Sequence, residues 1–116
     1  MLTKIDIKPL TVNKAHRAVN GRVIKSKAYR QYEKDLNLLI KPIELPEKPY
    51  ALLLEFGLSS ALADWDNYIK PFQDCLQGIY GFNDRDVNLG VVRKVKTKRG
   101  EEHIRFALVT TDEGYF

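Results

Sequence analysis

A single cysteine, Cys75, in 116 residues removes two architectures common among small proteins. It cannot form an intrachain disulfide, and it cannot belong to a multi-cysteine zinc site. Its place at an apolar-to-polar helix boundary reads as a small, inert packing residue. Long hydrophobic runs are also missing. The longest, around residues 51–54, falls far short of the ~20 apolar residues that a membrane-spanning helix needs. The N-terminal Met1-Leu2-Thr3-Lys4-Ile5-Asp6 lacks the charged-then-apolar layout of a secretory signal, so a cytoplasmic protein is expected. No glycine-rich phosphate loop occurs, which argues against a nucleoside triphosphatase. His16 and His103 have no metal-ligand spacing, and no Ser/His/Asp set is legible, so surface or nucleic-acid contact is expected of both histidines. Internal repeats and low-complexity tracts are absent.

What remains is ordinary globular material with an uneven charge. Apolar content of 44% and charged content of 29% suit one domain spanning 1–116, with no room for a second. The net charge of +4 favours an anionic partner, although a solvated basic face is the plain alternative. The distribution says more than the total. Residues 1–35 hold nine basic and three acidic side chains (+6), residues 91–105 hold six and two (+4), and residues 42–90 hold three and eight (−5). An acidic centre between basic flanks suits a site that holds a divalent cation while its surroundings grip a polyanion.

Periodicity gives the elements. Ile5 and Ile7 alternate with charged residues in a first strand over 3–9 that stops at Pro9. Asn20-Gly21 marks a hairpin in the basic, turn-rich stretch 10–25. Ser26 reads as the N-cap of a helix to about residue 40, with Tyr29, Tyr32, Leu36, Leu39 and Ile40 on one face. Pro42, Pro46 and Pro49 mark a connector, and Tyr50–Leu58 reads as a central strand interrupted only by Glu55. A second helix over 67–80 must keep Pro71 in its first turn. Val87–Lys96 and residues 102–110 alternate as strands, and Thr97-Lys98-Arg99-Gly100 predicts a hairpin between them. The expected fold is α+β: a single domain with a mixed four-stranded sheet, a hairpin and two main helices packed on the sheet, in the order β-(hairpin)-α-β-α-β-β.

Asp64 and Asp66 bracket Trp65 just before the second helix. In an extended segment alternate residues face one side, so both carboxylates address one point. Like charges so close resist joint ionisation unless a cation lies between them, and Mg²⁺ or Mn²⁺ is the natural occupant of such hard oxygen donors. The alternative is that Asp66 caps the helix and Asp64 is a solvated loop residue. Lys70 lies one turn beyond Asp66, where its ammonium can stabilise the charge of a pentacoordinate phosphorus or form a simple ion pair. Asn67 is expected to cap the helix. Trp65 is expected to pack in the core rather than stack on DNA.

Asp84 and Asp86 form a second pair beyond the helix, in a stretch that is also a good turn. A 14-residue helix is about 21 Å long, so Asp84 can hardly return to the first pair within one subunit. If all three aspartates serve one ion, a two-fold dimer in which the partner donates Asp84 is the simplest solution.

Asp64-x-Asp66-Asn67-x-x-Lys70-x-x-x-Asp74-x-Leu76, then Asn83-Asp84-x-x-Val87 and Arg93-x-Val95, resembles the RusA family of Holliday-junction resolvases of bacteria and their prophages. Asn13-Lys14 and Ser26-x-x-Tyr29-Arg30 are similar too, so the likeness covers most of the chain. It implies a dimeric, Mg²⁺-dependent endonuclease that resolves four-way DNA junctions by paired symmetric nicks. By position, Asp64, Asp66 and Asp84 would be the essential, metal-holding carboxylates and Lys70 the catalytic lysine. Asp86 is the alternative to Asp84, and the spacing to Val87 favours Asp84. Asn83 stands where an acidic residue often precedes the catalytic one.

Two basic regions are expected to hold branched double-stranded DNA. Asn13, Lys14, Arg17, Arg22, Lys25, Lys27 and Arg30 form the first; Arg93, Lys94, Lys96, Lys98 and Arg99 form the second. Phosphate contacts of this kind give salt-dependent affinity that is poor in sequence information. Competing readings are a nuclease for flaps or forks, a non-catalytic junction-binding protein, and a basic module that binds another protein.

Overall fold

The computed structural model describes residues 2–111. In chain order its elements are Thr3–Ile5 (β1), Val12–Ala15 (α1), His16–Val19 (β2), Arg22–Lys25 (β3), Lys27–Leu39 (α2), Tyr50–Leu58 (β4), Ile69–Tyr80 (α3), a 3-10 turn at Asp84–Asp86, Val87–Lys96 (β5) and His103–Thr110 (β6). This is the expected α+β order with one addition, the four-residue α1. The first strand is shorter than its alternation suggests and stops at Ile5.

Local chemistry accounts for the helices. The Ser26 hydroxyl accepts the Tyr29 amide at 3.1 Å, which caps α2. Tyr29, Tyr32, Leu36 and Ile40 are buried, whereas Leu39 faces solvent. Helix α3 opens at Ile69, so Pro71 falls in its first turn, where no intrahelical partner is needed for its nitrogen. The helix ends at Gly81, whose left-handed φ of 78° lets its amide close onto the Gln77 carbonyl at 2.8 Å. Cys75 is buried on this helix, and burial pushes its thiol up to about 12. At neutral pH it stays protonated and inert, as a packing residue should.

Four strands form the main sheet in the order β1-β6-β4-β5, and β2 pairs with β3 alone. Strand β4 is central, parallel to β5 and antiparallel to β6. The hairpin expected between β5 and β6 does not form, because β4 lies between them. Alternation shows that two segments are strands but not which edges they pair. The long apolar run of β4 has both edges to satisfy and takes a neighbour on each side. The loop after β5 instead crosses the end of β4, where the Thr97 amide donates to the Leu58 carbonyl at 2.9 Å.

Both helices pack on one face of the sheet. Leu52, Leu54, Phe56 and Leu58 of β4 meet Phe72 and Leu76 of α3, Leu36 of α2, and Ile104, Phe106 and Leu108 of β6 in one continuous core. On the opposite face Glu55 is only 3% exposed. Arg93 and Arg105 lie beside it in register on the two flanking strands. Arg93 Nε donates to Glu55 at 2.8 Å, Arg105 stands at 3.6 Å, and His103 Nε2 lies 3.0 Å from the second carboxylate oxygen. His103 reaches Glu55 by lying across Gly57, where a Cβ would sit 2.3 Å from the imidazole ring. Burial alone would raise the Glu55 pKa. The bonds from His103 and Arg93 and the charges of both arginines outweigh it, so the carboxyl titrates below its usual range.

Candidate functional site

Loop 59–68 leaves the end of β4 and carries Asp64 and Asp66 to the start of α3. Both aspartates are exposed. Neither carboxylate has an ion-pair partner among the described residues. The cap position of α3 is Tyr68, which makes no side-chain bond to the helix, so the Asp66 carboxylate is not spent on capping. Asn67 does not cap the helix either. Its Nδ2 donates to Asp64 Oδ2 at 3.4 Å, and its carbonyl accepts the Val12 amide at 2.8 Å. The second bond ties the start of α1, with Asn13 and Lys14, to the aspartate loop. Trp65 is 55% exposed, contrary to the expectation of core packing, because the loop stands clear of the α3 face that buries Phe72 and Leu76.

Lys70 sits in the first turn of α3. Its ammonium bonds Asp74 Oδ1 at 2.7 Å, one turn onward, and not Asp66. That bond raises the lysine's pKa; partial burial opposes the rise, and the charges of Asp74 and Asp84 reinforce it.

Asp84 opens the 3-10 turn before β5, and Asn83 caps that turn by accepting the Arg85 amide at 3.0 Å. Asp86 is paired with Lys48 at 3.3 Å, whereas Asp84 is exposed and has no such partner among the described residues. The position of Asp84 follows from the parallel register. Val87, at the start of β5, lies beside Tyr50, at the start of β4, and the aspartate loop follows the far end of β4. Strand β4 is nine residues long, about 26 Å at ~3.3 Å per residue, yet Asp84 lies near enough to Lys70, at the start of α3, for its charge to raise that lysine's pKa. Among the described residues no group of three His, Cys, Asp or Glu side chains is close enough to hold a metal ion.

The basic residues divide by what they touch. Arg17 and Arg22 project from the β2–β3 hairpin, a separate two-stranded arm whose Val23 is 74% exposed. Asn20 (φ 51°) and Gly21 (φ 76°) form its tip. Lys14, Lys27 and Arg30 are exposed nearby, and Lys25 is held by Glu33 at 3.0 Å. In the second region Arg93 is engaged by Glu55. The Lys94 ammonium donates to the carbonyls of Ala63 (2.6 Å) and Ala61 (3.4 Å), and Lys96 donates to the carbonyl of Ser59. Lys98 and Arg99 stay exposed and line an open groove of about 1440 Å³. The groove also takes in Lys4 and Lys8, two lysines whose part in it the linear sequence hides, because β1 reaches them only by pairing with β6.

The stretch that holds Asp64, Asp66, Lys70 and Asp84 lies within the match to one family model. That model, described as endodeoxyribonuclease RusA, aligns with residues 6–106. The chain belongs to the RusA family. Membership implies nuclease activity of the Holliday-junction-resolvase kind, acting on branched DNA. None of the curated proteins matches this chain. No helix among the described residues is long and apolar enough to cross a membrane.

Proposed function

We propose that this RusA-family protein is a Mg²⁺-dependent, homodimeric endonuclease that resolves four-way DNA junctions by paired symmetric nicks, acting in recombination and repair in the cytoplasm. The observation that carries the reading is the state of Asp64 and Asp66: two residues apart where the chain turns into α3 rather than running extended, exposed, unspent on the helix cap, with Asn67 bonded to the first. Their hard carboxylate oxygens fit Mg²⁺, an ion usually held through one or two carboxylates plus water and substrate phosphate, and Mn²⁺ fits the same donors. When bound, such an ion supplies the charge that acidifies a water and offsets the negative charge gathering on the phosphate.

The reaction is hydrolysis of a phosphodiester: a water oxygen bonds to phosphorus, the bond to the 3′ oxygen breaks, and a 5′ phosphate and a 3′ hydroxyl remain. Lys70 is protonated at neutral pH, as lysines ordinarily are, with Asp74 raising its pKa further, and offers a positive charge to the crowded phosphorus. Asp84 is the third carboxylate, donated by the partner subunit. The parallel register, which starts β5 beside the start of β4 while the aspartate loop follows the end of β4, supports this reading.

DNA is gripped by the β2–β3 arm with Arg17 and Arg22, by Asn13, Lys14, Lys27 and Arg30 around it, and by the groove with Lys4, Lys8, Lys98 and Arg99. Phosphate contacts position the strands, and the spacing of two sites in a dimer selects the junction.

The test is a synthetic mobile four-way junction with Mg²⁺, wild type beside Asp64→Asn. Wild type is expected to cut two opposed strands symmetrically, and Asp64→Asn to bind without cutting. Cutting of flaps or forks without paired nicks would replace the substrate, and binding without cutting by wild type in both Mg²⁺ and Mn²⁺ would remove the enzyme.

A further inference from the structure

We propose that Lys94 and Lys96 are positioning residues: their ammonium groups tether the aspartate-bearing loop to the edge strand β5 and do not contact DNA phosphate. The inference rests on the nuclease reading above and deepens it.

Two residues apart on a strand, Lys94 and Lys96 share a face with Val92, the side that carries the helices. There they meet loop 59–68. Its opening, Ser59-Ser60-Ala61-Leu62-Ala63, has no charged side chain and one local bond, from the Leu62 amide to the Ser60 hydroxyl at 3.2 Å; Leu62 is 93% exposed. Such a segment takes its shape from outside ties. Three of its carbonyls, at the alternate positions Ser59, Ala61 and Ala63, accept bonds from the two lysines. A fourth tie comes from the Ser59 hydroxyl, which donates to Glu102 at 3.0 Å. The shortest Lys94 bond, 2.6 Å to Ala63, falls on the residue immediately before Asp64. A lysine swung out to a phosphate would surrender a charge-assisted bond and free the backbone that aims the first carboxylate. Lys94, Lys96 and Lys98 are all exposed and Lys96 lines the same groove as Lys98; Lys98 supplies the contrasting case because its ammonium has no bond to the loop.

The experiment compares Lys94→Met, Lys94→Arg, Lys96→Met and Lys98→Met. Each duplex phosphate contact adds about 0.9 to the slope of log K against log salt. Junction binding between 50 and 300 mM KCl is measured for each variant, with single-turnover cleavage at saturating junction and deuterium exchange of the 59–67 peptide without DNA. The tether predicts an unchanged salt slope for Lys94→Met and Lys96→Met and a slope reduced by about 0.9 for Lys98→Met. It predicts cleavage at least tenfold slower in Lys94→Met, partial recovery in Lys94→Arg, and faster exchange confined to the loop. A slope reduced by about 0.9 in Lys94→Met with loop exchange unchanged would make it a phosphate contact and overturn the proposal. Should Lys94→Met lose its fold by circular dichroism, Lys96→Met carries the same comparison. If wild type proves inactive, the nuclease reading falls, while the exchange measurement, which needs no DNA, still decides the tether.

Discussion

The Lys70 ammonium reaches forward along α3 to Asp74, 2.7 Å away, instead of back to Asp66. Asp74 therefore sets the protonation of the proposed catalytic lysine. Its bond is the largest cause of the raised Lys70 pKa, so removing it lets that pKa fall. In Asp74→Asn the alkaline limb of the cleavage–pH profile should move to lower pH, while activity at pH 7 changes less than threefold. Lys70→Met should lose at least a hundredfold in cleavage at every pH, with junction affinity within threefold of wild type. Single-turnover rates from pH 7 to 11 beside gel-shift affinities check both, and equal losses in rate and affinity would recast Lys70 as a binding residue.

Donation of Asp84 across the dimer has an arithmetic consequence for mixed subunits. Asp64→Asn and Asp84→Asn homodimers should both be inactive. In a heterodimer of the two, one site combines both defects and the other combines both intact residues. Purified heterodimers of differently tagged subunits should therefore nick one strand of a junction at the wild-type rate per site, about half the total per dimer. Complete inactivity of the purified heterodimer would mean that each subunit uses its own Asp84.

Glu55 connects stability to pH. Its folded pKa is depressed, so its ionised form contributes stability that is present above its ordinary value of 4.5 and is lost as pH falls through the lower, folded value. Thermal melts between pH 2 and 7 should show wild type losing stability below about pH 4.5, with a shallower acid limb in Glu55→Gln. Gly57→Ala should act on the same network by driving the His103 ring off Glu55, at a cost of about 1–3 kcal/mol at pH 7. A Gly57→Ala protein as stable as wild type would show that His103 adds nothing there.

Trp65 is the only tryptophan, and it sits between the two aspartates. Its indole is half exposed, so the free protein should emit at the long-wavelength end of the tryptophan range. Binding of a four-way junction, in Ca²⁺ to prevent cutting, should quench that emission, and linear duplex should quench it less. Unchanged emission at saturating junction would place the indole away from DNA.

Where the pattern was strong, the chain could be read directly. Tyr50–Leu58 and Val87–Lys96 have the same bounds in sequence and structure, because long apolar or alternating runs depend little on their surroundings. Asp64, Asp66, Lys70 and Asp84 were legible as candidates, by their spacing and by the family resemblance. Partnership was not. Alternation in β5 and β6 says nothing of which edges meet, and α1 is too short to show a period. Asn67 and Lys70 each had two local partners in reach, and only the packed loop decided between them. For Lys94 and Lys96 a run of lysines shows charge and hides the loop carbonyls that the ammonium groups touch. Glu55 looked like a lone charge in an apolar strand, since its arginines and histidine arrive from 38 to 50 residues downstream.

Central position in the sheet also imposes an order of assembly. Both neighbours of β4 come later in the chain, and β6 begins 45 residues after β4 ends. During synthesis the most apolar strand emerges with two bare hydrogen-bonding edges and must wait for each in turn. Slow, non-local pairing of that kind lengthens the interval in which a nascent chain can stick to its neighbours. Yield on overexpression should accordingly be limited by aggregation of the growing polypeptide more than by the stability of the finished one.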